Sequence, residues 1–71
     1  MTGVKMKLAR TLFEIRQRDL ARESGLHEYT LSRFESGSHK PDRQELRKIL
    51  TAFLRLIERR ISQEASDVHA K

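Results

Sequence analysis

The sequence predicts an all-α domain. No segment alternates apolar and polar residues at period two for the length of a strand. Apolar residues recur instead at helical spacing in four segments, and Gly25, Gly37 and Pro41 fall between those segments as breaks. At 71 residues the chain has room for one domain. A domain of that size commonly buries only about 60% of the surface its unfolded chain exposes. Each helix must therefore be held by its neighbours.

The first segment covers residues 4–14. Met6, Ala9, Arg10 and Phe13 share one face, and Leu8 and Leu12 form a second apolar stripe at i, i+4. The second covers residues 17–24, with Leu20 and Ala21 inward. Gly25 follows where a left-handed residue ends a helix at little cost. The third covers residues 28–36, with Leu31 and Phe34 inward, and Gly37 stops it in the same way. The loop Ser38-His39-Lys40-Pro41 leads to Asp42, a good N-cap, and Glu45 three residues on completes a capping box. The fourth segment reads RQELRKILTAFLRLIERRIS, with Leu46, Ile49, Leu50, Phe53, Ile57 and Ile61 on one broad face. It spans about 30 Å at 1.5 Å per residue. Beyond it the apolar pattern is lost. A domain over residues 4–62 and a frayed tail over 63–71 are expected.

Composition narrows the function. Fifteen Lys and Arg face ten Asp and Glu, for a formal charge of +5. That balance on a small body favours a polyanionic partner, nucleic acid first, with an anionic membrane surface as a rival. There is no cysteine, hence no disulfide and no thiolate zinc site. His27, His39 and His69 stand at no metal-ligand spacing, so no metal and no cofactor is expected. No glycine-rich phosphate loop or nucleophile elbow is present, and so small a chain has little material to wall a catalytic pocket. An enzyme is not expected. No apolar stretch approaches the roughly 18 residues of a membrane span. A soluble, cytoplasmic chain is the expectation.

The second and third segments carry the functional expectation. They form QRDLARES and EYTLSRFES around the turn Gly25-Leu26-His27. Neither is long enough to stand alone, so they lean together through Leu20, Ala21, Leu31 and Phe34, with Leu26 filling the turn. Small Ala21 permits a close crossing. Glu28, Tyr29, Ser32 and Arg33 then face outward. This is a helix-turn-helix with its second helix presented.

Residues 6 to about 54 resemble the Cro/cI (XRE) helix-turn-helix domain of phage repressors and related bacterial regulators. Gln17-Arg18-Asp19-Leu20-Ala21 match the Q-x-x-L-A opening of its second helix. Gly25, Leu31, Phe34, Glu35 and Gly37 match its G-x5-I/L-x2-F/L/W-E-x-G run, and Pro41 its following proline. The resemblance implies a λ-repressor-like fold of four to five helices, here with a long C-terminal helix. It implies that Gln17 starts the second helix beside a phosphate and braces the recognition helix. It also implies that His27, Glu28, Tyr29, Ser32 and Arg33 face bases or phosphates. By the same resemblance Ser38, His39 and Lys40 lie along the DNA backbone, Arg43 enters the minor groove, and Arg10 pairs with Glu35. The chain departs from the pattern twice. No glycine precedes Ile15, so a stiffer first turn is expected. No break follows Leu54, which points to one continuous C-terminal helix in place of a separate fifth.

Each residue also has a plainer reading. Arg33 suits guanine O6 and N7, or else a phosphate or an ion pair with Glu28. Glu28 suits cytosine N4, or stabilises the start of its own helix, the favoured role. Tyr29 meets a thymine methyl or a phosphate, or packs on the helix surface. His27, His39 and Lys40 are phosphate contacts or solvated loop residues. Lys5, Lys7, Arg16, Arg18, Arg22 and Arg43 form a basic rim or simply a solvated face.

The fourth segment carries more apolar surface than one small core needs. Leu54, Leu56, Ile57 and Ile61, with Leu8 and Leu12, are expected to form a homodimer interface. Folding back over the first helix is the alternative. A dimer would set two recognition helices about 34 Å apart, one DNA turn. The expected function is thus a sequence-specific double-stranded DNA-binding regulator, a repressor acting as a homodimer on a palindromic operator. Alternatives are an antitoxin-type module that also binds a protein partner, and an RNA or membrane-surface binder.

Overall fold

The computed structural model describes the backbone of residues 2–69 and side-chain surroundings through Glu64. Four helices follow in order: α1 Gly3–Leu12, α2 Gln17–Ser24, α3 Glu28–Ser36 and α4 Arg43–His69. Among the described residues there is no strand. The protein is all-α, with a long C-terminal helix.

The first three helices end in one way. After each, a left-handed residue lets two backbone N–H groups turn back onto the last carbonyls, the pairing of a Schellman motif. At α2 the turning residue is Gly25, with Leu26 N–H bonded to Ala21 O and Gly25 N–H to Arg22 O. At α3 it is Gly37, with Ser38 N–H bonded to Arg33 O. At α1 it is Glu14, at φ 56°, with Ile15 N–H bonded to Arg10 O and Glu14 N–H to Thr11 O. Glutamate has no special tolerance for this region, so α1 closes on a strained residue. That turn ends α1 at Leu12, two residues before the end expected from the apolar pattern.

The helix starts divide into two kinds. Thr2 caps α1, its hydroxyl accepting from Lys5 N–H at 3.2 Å. Asp42 and Glu45 form the expected capping box at α4, with Glu45 N–H donating to Asp42 Oδ1 at 2.8 Å and Asp42 N–H to Glu45 Oε1 at 3.1 Å. The starts of α2 and α3 carry no side-chain cap.

The core joins Met6, Ile15, Leu20, Ala21, Leu31, Phe34, Ile49, Ala52 and Phe53. The helix pairs in closest contact are α2 with α4, α1 with α3, and α2 with α3. Leu26 sits half-buried against the core at the turn. Phe13 meets Phe53 edge to face, ring centres 6.1 Å apart. Gly3 is buried where α1 crosses the end of α3, and a Cβ there would lie 1.8 Å from the Phe34 carbonyl oxygen. Only a glycine allows that approach.

α4 is a single helix of 27 residues, about 40 Å long. It runs on past residue 63, where the apolar pattern is lost. No glycine or proline interrupts its second half, and the helix continues to His69. The last two positions of the expected tail, 70 and 71, lie outside the described residues. The distal half of α4 is fastened to the body. Arg59 pairs with Glu23 at 2.8 Å, Arg55 lies 4.0 Å from the same carboxylate, and Arg60 pairs with Glu14 at 3.6 Å. Arg60 also donates to the Phe13 carbonyl, at the C-terminal end of α1. A cation there complements the helix dipole. Leu56 and Ile57 are half-buried against the core of their own chain, whereas Leu54 and Ile61 are exposed. The expected interface set is therefore divided, two residues being packed at home.

Two substitutions test these strained and crowded points. Glu14→Gly relieves the left-handed residue and is expected to raise unfolding free energy by about 0.5–1 kcal/mol in urea denaturation. The exposed ion pair it removes contributes little. Gly3→Ala, a favourable change in most helices, is expected to lower stability by about 1–3 kcal/mol because α1 must move off Phe34.

Candidate nucleic-acid interface

α3 turns Leu31, Phe34 and Glu35 into the protein and leaves His27, Glu28, Tyr29, Ser32 and Arg33 exposed. The helical period alone produces this split, since the apolar residues recur at i, i+3. Neither α1 nor the described length of α4 buries the outer side of α3, where Tyr29 is 70% exposed.

Glu35 fixes the inner side. Its side chain is 3% exposed and accepts a two-pronged hydrogen bond from Arg10, Nε to Oε2 and Nη2 to Oε1, both 2.9 Å. Gln17 Nε2 donates to Oε1 at 3.0 Å. The remaining Arg10 nitrogen, Nη1, donates to the Ile15 carbonyl at 3.0 Å. One carboxylate thus joins the end of α1, the turn after it, the start of α2 and the last turn of α3. Among the described residues no buried side-chain nitrogen or oxygen lacks a partner. Arg10 and Glu35, paired by resemblance in the sequence, are in contact. Gln17 is half-buried and turned onto Glu35, the bracing half of its implied role.

Arg33 and Tyr29 lie one turn apart on the exposed side, with the guanidinium carbon 5.7 Å from the ring centre. Arg33 forms no ion pair with Glu28. Glu28 is the first residue of α3, where a carboxylate favours the helix dipole. In the loop after α3, Ser38 accepts from the Ser36 hydroxyl at 3.1 Å and His39 lies 3.2 Å from Glu45. His39 is thereby held to the α4 capping box. Lys40 and Arg43 are exposed.

The cations fall into two groups. Arg10, Arg55, Arg59 and Arg60 are engaged with carboxylates. Among the described residues, Lys5, Lys7, Arg16, Arg18, Arg22, Arg33, Lys40 and Arg43 are in no ion pair and all are exposed. Arg47 and Lys48 on α4 share that state. The uncapped starts of α2 and α3 leave first-turn N–H groups and positive dipole ends, with Arg16 and Arg18 at the α2 start, a combination suited to phosphate oxygens. No group of three His, Asp or Glu among the described residues is placed to hold a metal ion, and no helix there is long and apolar enough to cross a membrane.

Sequence reasoning missed the residues that fasten α4. Glu23 is an acidic residue at the end of α2 with no local signal, and Arg59 and Arg60 meet their partners only through tertiary folding.

The family model HTH_3, helix-turn-helix, aligns with residues 6–53. No curated protein and no solved structure matches the chain. The match spans α1, the α2–turn–α3 unit and the first part of α4.

The Glu35 cluster sets an energetic expectation. Arg10→Ala strands a buried carboxylate and is expected to lower unfolding free energy by about 3–5 kcal/mol. Gln17→Ala removes one of several bonds and should cost about 1 kcal/mol. Chemical denaturation of the two variants measures both.

Proposed function

The chain belongs to the Cro/cI-like (XRE) helix-turn-helix family of DNA-binding transcription regulators, and from that premise we propose that it is a repressor acting as a homodimer on a palindromic operator. The observation that carries this reading is the uncovered outer side of α3, which presents Arg33 without a carboxylate partner. α3 enters the major groove. Arg33 reads a guanine, and Ser32 and Glu28 meet neighbouring base edges or phosphates. The α2 start, with Gln17 and Arg18, sits against one phosphate. His27, Ser38, His39 and Lys40 follow the backbone, and Arg43 reaches toward the minor groove.

The unit that binds runs over residues 4–62. Its dimer contact lies on the apolar strip left after folding. Leu54 and Ile61 are 59% and 57% exposed on one side of α4, with half-buried Leu50 and Ile57 between and beside them. Leu8 and Leu12 on α1 are 60% and 81% exposed. Leu12 lines a shallow depression with Arg60 and Glu64, which brings the α1 stripe beside the distal part of α4. A chain this small gains by covering such a strip. Twofold pairing there presents two α3 helices to successive major grooves. Repression follows from occupancy of a promoter.

Selection of binding sites from randomised duplexes tests the reading. The expected product is a motif with twofold symmetry, its half-sites about one helical turn apart. Arg33→Ala should relax preference at one position per half-site, while Lys40→Ala should weaken all sequences alike and flatten the salt dependence. Sedimentation should give a dimer, and Leu54→Asp with Ile61→Asp should give a folded monomer with weaker operator binding. An asymmetric motif, or a monomeric wild-type chain, contradicts the dimer.

A further inference from the structure

Tyr29 has a place in readout that its own chemistry does not reveal. It stands at the second position of α3, one turn before Arg33, with its ring 70% exposed. So large an aromatic surface gains nothing from water. What it touches is the Arg33 side chain, whose guanidinium carbon lies 5.7 Å from the ring centre. That distance is within the range of a cation–π contact. Arg33 is in no ion pair, although Glu28 lies five residues before it on the exposed side of the same helix.

We propose that Tyr29 is a positioning residue for base recognition: its ring holds the Arg33 guanidinium over α3 before DNA arrives, and so sharpens the preference for guanine at the position Arg33 reads. The inference rests on the DNA-reading role given to α3 above. A guanidinium is flat and can stack by its face while its N–H edge remains free. The two parallel N–H groups of that edge are what guanine O6 and N7 accept. A long arginine side chain free in water loses rotamer freedom when it docks. One already resting on an aromatic ring loses less, and a wrong base meets a donor fork that cannot swing aside cheaply. Tyr29 thereby acts on selectivity at one base pair rather than on overall affinity. The ring performs this task and the hydroxyl does not.

A double-mutant cycle read by site selection and by titration of single-base variants tests this. Arg33→Ala first identifies the guanine position whose preference depends on the arginine. At that position Tyr29→Phe should retain the wild-type preference, and Tyr29→Leu should reduce it about threefold to fivefold while leaving other positions unchanged. In the Arg33→Ala background, Tyr29→Leu should change nothing further at that position. Tyr29 is exposed, so helicity and thermal unfolding of these variants should match the wild type and serve as the folding control. If Tyr29→Leu keeps the full guanine preference, or weakens every sequence equally as a lost phosphate contact would, the positioning role is overturned while the DNA reading by α3 stands. If the wild-type protein selects no motif, the DNA reading itself is overturned and the role of Tyr29 with it.

Discussion

The Glu35 carboxylate and its donors are the point on which the rest of this small structure depends. An isolated carboxylate would be costly to bury. The fork from Arg10 and the amide of Gln17 satisfy both its oxygens, and the third arginine nitrogen satisfies the Ile15 carbonyl. The cluster draws on α1, the turn after it, α2 and α3. It therefore fixes the rotation of α3 about its own axis. With Glu35, Leu31 and Phe34 inward, the residues one face away have nowhere to go but outward. An apolar contact in the same place could slide. A two-pronged arginine–carboxylate pair has a defined geometry and holds register as well as position.

From that constraint the division of labour among the helices follows. α1 and α4 are capped by their own side chains, and α4 is further tied through Arg59 and Arg60. α2 and α3 begin without such caps, and their neighbourhood holds cations free of carboxylate partners. Arg10, Arg55, Arg59 and Arg60 place their charge against carboxylates within the fold. Unpaired cations such as Arg16, Arg18, Arg33 and Lys40 remain available to phosphates, and binding of that kind depends strongly on salt.

Much of this was legible in the sequence. The spacing of Gly25 and Gly37 located the ends of α2 and α3, because both must adopt a left-handed backbone there. The Asp42–Glu45 box announced the start of α4, and the helical period of Leu31 and Phe34 fixed which side of α3 is buried. The partnership of Arg10 with Glu35, by contrast, came from resemblance to a family, not from any local signal. Other features stayed hidden because they are tertiary. Glu14 adopts a left-handed backbone without being glycine, so α1 ends earlier than its apolar pattern suggests. Gly3 is demanded by the Phe34 carbonyl across a helix crossing, which no spacing rule announces. The sequence showed six apolar residues beyond the core but could not divide them. Folding takes Leu56 and Ile57 into the chain's own packing and leaves Leu54, Ile61, Leu8 and Leu12 outside. The helix itself continues past its apolar pattern, since helix-forming residues without glycine or proline suffice to propagate it.

The central claim is that the outer side of α3, set by the Glu35 cluster, is what meets a duplex. Backbone amide resonances followed while a duplex carrying the selected motif is added test that most directly. The largest shifts are expected on Gln17, on the span from His27 to Arg33 and on Ser38 to Lys40, with the Leu54 and Ile61 side of α4 little changed. Shifts concentrated on α4 with α3 silent would contradict it.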